Sequence, residues 1–114
     1  MEIKHAISIR QPWVELVLLG KKKAEYRSRP THIRERVYIY ASATPADSPG
    51  AWQSLGRQPG QLPTGVICGS VEITDCAWDE RAGCYAYALR KPERLDKPLS
   101  ATNRPQPGFW RPRF

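Results

Sequence analysis

Four charged side chains stand close together early in the chain, at Lys22, Lys23, Glu25 and Arg27. If residues 23–28 form a β-strand, side chains alternate between its two faces, so that Lys23, Glu25 and Arg27 share one face. Two interpretations fit this pattern. The face is either the solvated side of an edge strand, where Glu25 pairs with Arg27 or Lys23, or an anion site with lysine and arginine donors that Glu25 orients. The residue types leave both open.

A short helix is predicted directly before this cluster, over residues 12–19. Pro12 suits the first helical position, and Gly20 suits the left-handed residue just past a helix end. Apolar side chains surround almost the whole helix, and Glu15 is the one charged position inside it. We therefore expect this helix, including Trp13, to be buried in the core.

A first strand over residues 4–9 is predicted to enter that helix through Arg10 and Gln11. Side chains at such a junction can point at an anion together with the first N–H groups of the helix. A buried capping role for Gln11 is the equally supported alternative.

The next predicted strand, over residues 34–42, has one apolar face and one face that carries Tyr38, Tyr40 and Ser42. Two tyrosines on one face could stack on nucleic-acid bases. They could equally be half-buried residues of a barrel. The following residues, 44–65, are rich in Pro, Gly and Ser, and they predict a covering or functional loop with a short helix that docks through Trp52.

Two further strands are predicted over residues 65–75 and 84–89. Glu72 is the one carboxylate within the alternating part of the first of them. It lies either at the rim of the sheet or in a cleft, where neighbouring lysines would hold it ionised.

The chain of 114 residues carries a formal net charge of +7, and this charge is unevenly distributed. Residues 1–40 carry +5, residues 41–80 carry −4, and residues 81–114 carry +6. Two basic segments around an acidic middle favour a positive surface and a polyanionic partner, with nucleic acid as the leading candidate.

Other classes are disfavoured by composition. The length suits a single domain, and no stretch approaches the roughly 18 apolar residues of a membrane span or resembles a signal peptide. We therefore expect a cytoplasmic protein that does not act at a membrane. Three cysteines spaced eight residues apart, Cys68, Cys76 and Cys84, match no zinc or redox motif. They are interpreted as reduced, buried thiols, and neither a metal nor a cofactor is expected.

Residues 20–27 fit the pattern G-x-K-x-x-E-x-R through Gly20, Lys22, Glu25 and Arg27, and the segment SIRQPW precedes them. In both features the chain resembles the ASCH domain, the module named for homology to the activating signal cointegrator-1. The segment LRKPERLDKPLS and the later GFW resemble the closing strands of the same group. The resemblance implies one α+β domain over residues 1–114, a small PUA-like mixed β-barrel with one or two short helices.

The same resemblance implies binding of RNA or single-stranded nucleic acid in a basic cleft. Carried over by position, the signature residues are Lys22, Glu25 and Arg27. The full set of predicted binding residues is Arg10, Gln11, Trp13, Lys22, Lys23, Glu25, Arg27, Tyr40 and Ser42. A small adaptor whose cleft binds protein or a metabolite is a third class of function that fits the sequence.

Hydrolysis is the alternative that the family suggests. Some bacterial relatives deacetylate N4-acetylcytidine with a lysine, a threonine and a glutamate, but this chain has Glu25 where that branch has threonine, so the attacking hydroxyl is lost. A ribonuclease would instead use Lys22 and Arg27 to stabilise the developing phosphorane charge. Glu25, Tyr40 or Glu72 would then transfer the proton.

Overall fold

The computed structural model describes residues 2–114, and within that range the chain forms six strands and two helices. In chain order they are β1 (Ala6–Ile9), α1 (Trp13–Leu18), β2 (Ala24–Arg27), β3 (Arg36–Ala41), α2 (Pro49–Leu55), β4 (Val66–Asp79), β5 (Cys84–Leu99) and β6 (Phe109–Trp110). This mixture of one sheet and two short helices confirms the α+β class expected from the sequence.

The strands form one sheet in the order β2-β5-β4-β3-β1-β6. Strand β1 pairs with β3 in parallel, and every other neighbouring pair is antiparallel. Among the described residues β2 and β6 are the two edges, so hydrogen bonds between edge strands do not close the sheet into the expected barrel. The two ends of the sheet are nevertheless close, because the Arg27 side chain on β2 donates at 2.7 Å to the Ser8 carbonyl on β1, the strand next to β6.

The core lies on the side of the sheet that α1 covers. Alternating residues of β1, β3 and β4 are fully buried, as the predicted strand patterns require. These core residues are Ile7, Ile9, Val37, Ile39, Val71 and Ile73. Trp52 of α2 is also buried, and its indole N–H donates to the Ala46 carbonyl at 3.0 Å. The Ala46 N–H in turn donates to the Gln11 carbonyl at 2.8 Å, which joins this loop to the body of the domain.

Helix α1 buries one face only, which corrects the expectation of a helix buried all round. Val14 and Val17 are buried, whereas Leu19, just past the helix, is 47% exposed. Glu15 lies on the outer side and forms two 2.8 Å contacts with the Arg94 guanidinium of β5. This bidentate ion pair explains the one charged position in an otherwise apolar helix.

The helix packs closely against β4 at Gly69. A Cβ atom at this position would collide with the Leu18 side chain and with the Glu93 carbonyl oxygen. Only glycine allows the helix and the strand to approach this closely. This packing fixes the C-terminal end of α1. Beyond it, Gly20 adopts a φ of +76°, the left-handed conformation expected from the sequence.

Candidate ligand-binding cleft

A cleft of about 500 Å³ opens beside β2, between the β1–α1 junction and the loop before β6. Its walls come from four separate parts of the chain, which the sheet brings together. The lining residues are Ser8, Ile9, Arg10, Trp13, Glu25, Arg27, Tyr40, Ser42, Ala43, Thr44, Pro105, Gln106, Pro107 and Gly108. Six of the nine predicted binding residues are among them.

The centre of the cleft is an ion-pair cluster on β2. Glu25 is only 8% exposed, and its Oε2 accepts from Arg27 Nε at 2.8 Å and lies 2.7 Å from Nη2. Its Oε1 lies 3.5 Å from Lys22 Nζ. The charged face of β2 therefore points into the cleft, while Tyr26 on the opposite face is 47% exposed. Of the first sequence interpretation, the edge position of the strand and the pairing of Glu25 with Arg27 are correct, but Glu25 is buried instead of solvated.

Lys22 is held beside the cleft. Its ammonium lies 5.3 Å from the Trp13 ring centroid and 5.1 Å from that of Tyr26, within cation–π range of both. The N–H groups of Lys21 and Lys22 donate to the Leu16 carbonyl at 2.9 and 3.0 Å, which ties this segment to the end of α1. Lys22 therefore contacts the Glu25 carboxylate without itself lining the cleft.

Arg10 supplies the exposed cation of the cleft. Within residues 2–114 its guanidinium takes part in no ion pair, in contrast to that of Arg27. The backbone around it is fixed, since the Arg10 carbonyl accepts from the Trp13 N–H at 3.0 Å. Arg10 can therefore approach an anion without breaking a contact between side chains.

Tyr40 and Ser42 form the wall opposite β2. The Tyr40 ring packs edge-to-face on Trp110 with centroids 5.3 Å apart, and the Ser42 N–H donates to the Ile9 carbonyl at 2.9 Å. Tyr38, by contrast, packs edge-on against Phe114 and lies outside the cleft lining. Of the two tyrosines on this strand face, only Tyr40 is in position to contact a ligand in the cleft.

Three predicted site residues lie elsewhere. Gln11 is 1% exposed, donates from Nε2 to the Pro63 carbonyl at 3.0 Å and accepts the Glu15 N–H at 3.1 Å, so its capping interpretation is correct. Lys23 is exposed and lines a second pocket. Glu72 lies 3.8 Å from Arg36 Nη2 beside a different cavity, so it does not turn toward the lysines.

The loop before β6 is the part of the cleft that the sequence analysis missed. Ser8 Oγ donates to the Gln106 carbonyl at 2.7 Å and accepts from the Trp110 indole N–H at 3.0 Å. The Ser8 N–H donates to the Gly108 carbonyl at 2.9 Å. These contacts join residues about a hundred positions apart, and a serine in a strand or a proline-rich tail carries no local pattern that would indicate them.

The three cysteines are dispersed and reduced. Cys68 is buried, and burial raises the pKa of its thiol, whereas Cys76 and Cys84 are only half-buried. The expectation of three buried thiols is therefore correct for Cys68 alone. The described residues contain no group of three potential metal ligands. In the same range, no helix combines the length and apolar character that crossing a membrane requires.

Comparison with known proteins gives a consistent result. The family model described as the ASCH domain matches residues 7–99. The crystal structure of ASCH from Zymomonas mobilis superposes with a TM-score of 0.64 at 15% identity, covering 96% of this chain and 87% of that one. A variant of that protein with phenylalanine in place of a tyrosine gives 0.65 at 14% identity, covering 98% and 91%. At these identities the likeness shows the fold alone. No curated protein sequence matches the chain.

Proposed function

The chain belongs to the ASCH domain family, and we propose that it binds RNA or single-stranded nucleic acid in the cleft beside β2. The observation that carries this proposal is the Glu25 cluster. A nearly buried carboxylate is held by Arg27 and Lys22 at the base of a cleft whose outer cation, Arg10, has no ion-pair partner among residues 2–114.

Each part of the cleft suits a different part of a nucleotide. Arg10 is placed to pair with a phosphate, because guanidinium groups form strong charge-assisted hydrogen bonds to phosphate oxygens. Glu25 is placed to accept a hydrogen bond from a base amino group, as carboxylates do with the N4 amino group of cytosine. The ribose 2′-hydroxyl is a second donor that it could accept from. The cleft thus combines attraction for the backbone with an acceptor that distinguishes bases.

The size of the cleft favours a single strand over a duplex as the ligand. A cleft of about 500 Å³ has room for an unstacked base, and sequence-specific RNA recognition mostly targets bases outside helices. The formal charge of +7 adds attraction for any polyanion.

The test is binding of labelled single-stranded RNA to the purified protein at two salt concentrations. We expect binding that weakens as salt rises and a loss of affinity in Arg10→Ala of about 5-fold at 0.1 M salt, the effect of removing one single-strand phosphate contact. Arg57→Ala, which removes an exposed arginine near α2, is the matched control and should bind like the wild type. RNA affinity that does not change with salt would contradict the proposal.

Hydrolysis of RNA or of a modified nucleoside is the second candidate. It is favoured by the 3.5 Å contact between Lys22 and Glu25 and by the Tyr40 hydroxyl group in the same cleft. Glu72 has no place in this mechanism because it lies beside a different cavity. Glu25, at the position of the amidohydrolase threonine, offers a carboxylate already engaged by two cations and no hydroxyl nucleophile. Cleavage of the labelled RNA that is lost in Lys22→Ala would establish the enzyme.

A further inference from the structure

A second pocket, of about 210 Å³, is lined in part by Lys22, which does not line the cleft. Its floor is apolar and its rim is cationic. The lining residues are Val17, Gly20, Lys22, Lys23, Val71, Leu89, Arg90, Lys91 and Pro92. None of them carries a negative charge, and we call this site the basic pocket.

Three of its four cations form no ion pair among the described residues. Lys22 is paired with Glu25, but across residues 2–114 Lys23, Arg90 and Lys91 form no ion pair. Three positive groups around an apolar floor repel one another in the absence of an anion. An anion that enters the pocket offsets this repulsion, whereas a cationic ligand would add to it.

The backbone around the basic pocket is held by specific contacts. Arg90 Nη1 donates to the Leu89 carbonyl at 2.9 Å and to the Lys23 carbonyl at 3.3 Å, and the Leu89 N–H also donates to the Lys23 carbonyl, at 2.9 Å. These bonds fix the segment before β2 against β5. The two sides of the pocket are therefore prearranged.

Lys91 occupies a special backbone position at the rim. Its φ of +52° is the one positive value at a non-glycine residue within the described range, and it lies where the pairing of β4 with β5 changes register. Register irregularities of this kind re-aim side chains and are frequent next to binding sites. Arg36 Nη2 donates to the Lys91 carbonyl at 2.9 Å and so holds this conformation.

The basic pocket adjoins the cleft through Lys22, which lines the pocket and contacts Glu25 of the cleft. Lys23 and Glu25 are two residues apart, about 7 Å along an extended chain. That distance is about twice the 3.4 Å rise per nucleotide along a stacked helix, and an unstacked strand covers it with fewer nucleotides. One nucleic-acid strand can therefore reach both sites.

We propose that the basic pocket binds a backbone phosphate of the strand whose neighbouring nucleotide occupies the cleft. This inference rests on the proposed function. The pocket has less than half the volume of the cleft, 210 against 500 Å³, and it offers cations without an acceptor, which suits a phosphate and not a base. It contributes affinity that is independent of sequence.

The experiment measures single-stranded RNA affinity over a range of salt concentrations for the wild type and for Lys23→Gln/Lys91→Asn. Asparagine tolerates the left-handed backbone at position 91, so the double variant is expected to fold. The control is Lys4→Gln/Lys97→Gln, which removes two exposed lysines that line neither the cleft nor the basic pocket. Thermal unfolding of all three proteins checks that they fold. If the double variant is unstable, the single variant Lys23→Gln replaces it in the binding experiment.

We expect the slope of log affinity against log salt to decrease in magnitude by about 1.4 in the double variant, about 0.7 for each lost phosphate contact. At 0.1 M salt this corresponds to a loss of roughly 25-fold, and the control should be within about twofold of the wild type. The loss should be equal for RNAs of different sequence.

Three other outcomes would overturn the inference. If the wild type binds RNA and the double variant keeps the slope of the control, the basic pocket is not used, while the proposed function stands. If inorganic phosphate raises the melting temperature of the wild type alone but the RNA slope is unchanged, the pocket binds free phosphate. If the wild type shows no salt-dependent RNA binding, the proposed function fails, and the inference fails with it.

Discussion

The cleft and the basic pocket are linked through Lys22, which lines the pocket and contacts Glu25 of the cleft, and they differ in the sign of their charged groups. The cleft contains Glu25, a carboxylate that is 8% exposed and held by two cations, whereas the lining of the basic pocket contains only positive charge. A site of cations alone attracts any anion. A carboxylate among cations adds an acceptor with a fixed direction, which can distinguish one base from another. Under the proposed function, the cleft selects the base and the basic pocket binds the backbone phosphate.

Glu25→Ala removes the carboxylate that distinguishes the cleft from the basic pocket. Of the variants considered, it should have the largest effect on stability. It leaves Lys22 and Arg27 without their carboxylate, so we expect a loss of about 2–4 kcal/mol in the free energy of unfolding, somewhat below that for a fully buried pair. RNA binding should lose sequence preference and become more dependent on salt. Urea unfolding and binding to RNAs of different sequence measure the two effects.

The matched control is Glu72→Ala, which removes a carboxylate that is 34% exposed and lies 3.8 Å from Arg36. We expect it to cost less than about 1 kcal/mol, as exposed ion pairs do. If Glu25→Ala and Glu72→Ala lost the same unfolding free energy, the Glu25 cluster would be no more stabilising than a surface ion pair.

Trp13→Ala tests the aromatic ring that lines the cleft beside Lys22. The Trp13 ring is half-buried, lines the cleft and lies over the Lys22 ammonium. We expect a destabilisation of about 2–3 kcal/mol, less than for a fully buried tryptophan, together with weaker RNA binding. Calorimetric unfolding measures the first effect. A cost below about 1 kcal/mol would mean that the ring contributes little to the core.

Lys22→Ala tests the residue that lines the basic pocket and contacts Glu25 of the cleft. Because Arg27 still holds Glu25, we expect the free energy of unfolding to fall by only about 1 kcal/mol. RNA affinity at 0.1 M salt should fall about 5-fold, the effect of one phosphate contact. Fluorescence anisotropy with labelled RNA measures it, and unchanged affinity would place the binding site elsewhere.

Tyr87→Phe tests a residue of β5 that pairs with Glu25 of the cleft. At neutral pH it should have the smallest effect on RNA binding. Tyr87 faces Glu25 across the β2–β5 pair, and its hydroxyl donates to the Arg29 carbonyl at 2.6 Å. Losing this hydrogen bond should cost about 1 kcal/mol. Cleft binding should change little.

The same residue predicts a dependence on alkaline pH. Burial raises the pKa of Tyr87 above the ordinary value of 10.0. In the unfolded chain this hydroxyl ionises near pH 10, so the unfolded state binds fewer protons than the folded state above that pH. Stability from Tyr87 is complete below about pH 10 and declines as pH rises toward the folded pKa. The stability gap between wild type and Tyr87→Phe should therefore narrow from pH 8 to pH 10.5, and a constant gap would contradict this.

Much of the fold could be predicted from local patterns. Alternation along β3 and β4 correctly separated buried residues such as Val37 and Ile39 from the half-buried Tyr38 and Tyr40. The burial of α1 was overestimated because an apolar sequence does not show that Arg94, 79 residues away, pairs with Glu15 on the outer face. Strand patterns also do not show that the edge strands β2 and β6 remain unpaired, because that depends on how the whole chain folds.

The candidate site could be predicted where it is local in sequence. Alternation placed Glu25 and Arg27 on one face, the family resemblance added Lys22, and the structure joins these three residues in one cluster. Lys23 and Glu72 were misplaced because alternation gives the face of a strand but not which cavity that face meets. The contributions of Ser8 and Gln106 require contacts across almost the whole chain, and no spacing rule predicts those.

The most direct test of the central claim is a titration of isotope-labelled protein with a short single-stranded RNA, followed by amide chemical shifts. We expect the largest changes at residues 8–13, 25–27, 42–44 and 106–108, which surround the cleft. Amides of α2, Pro49–Leu55, lie outside it and should change little. Changes confined to α2, or none at RNA concentrations that saturate binding, would contradict the account.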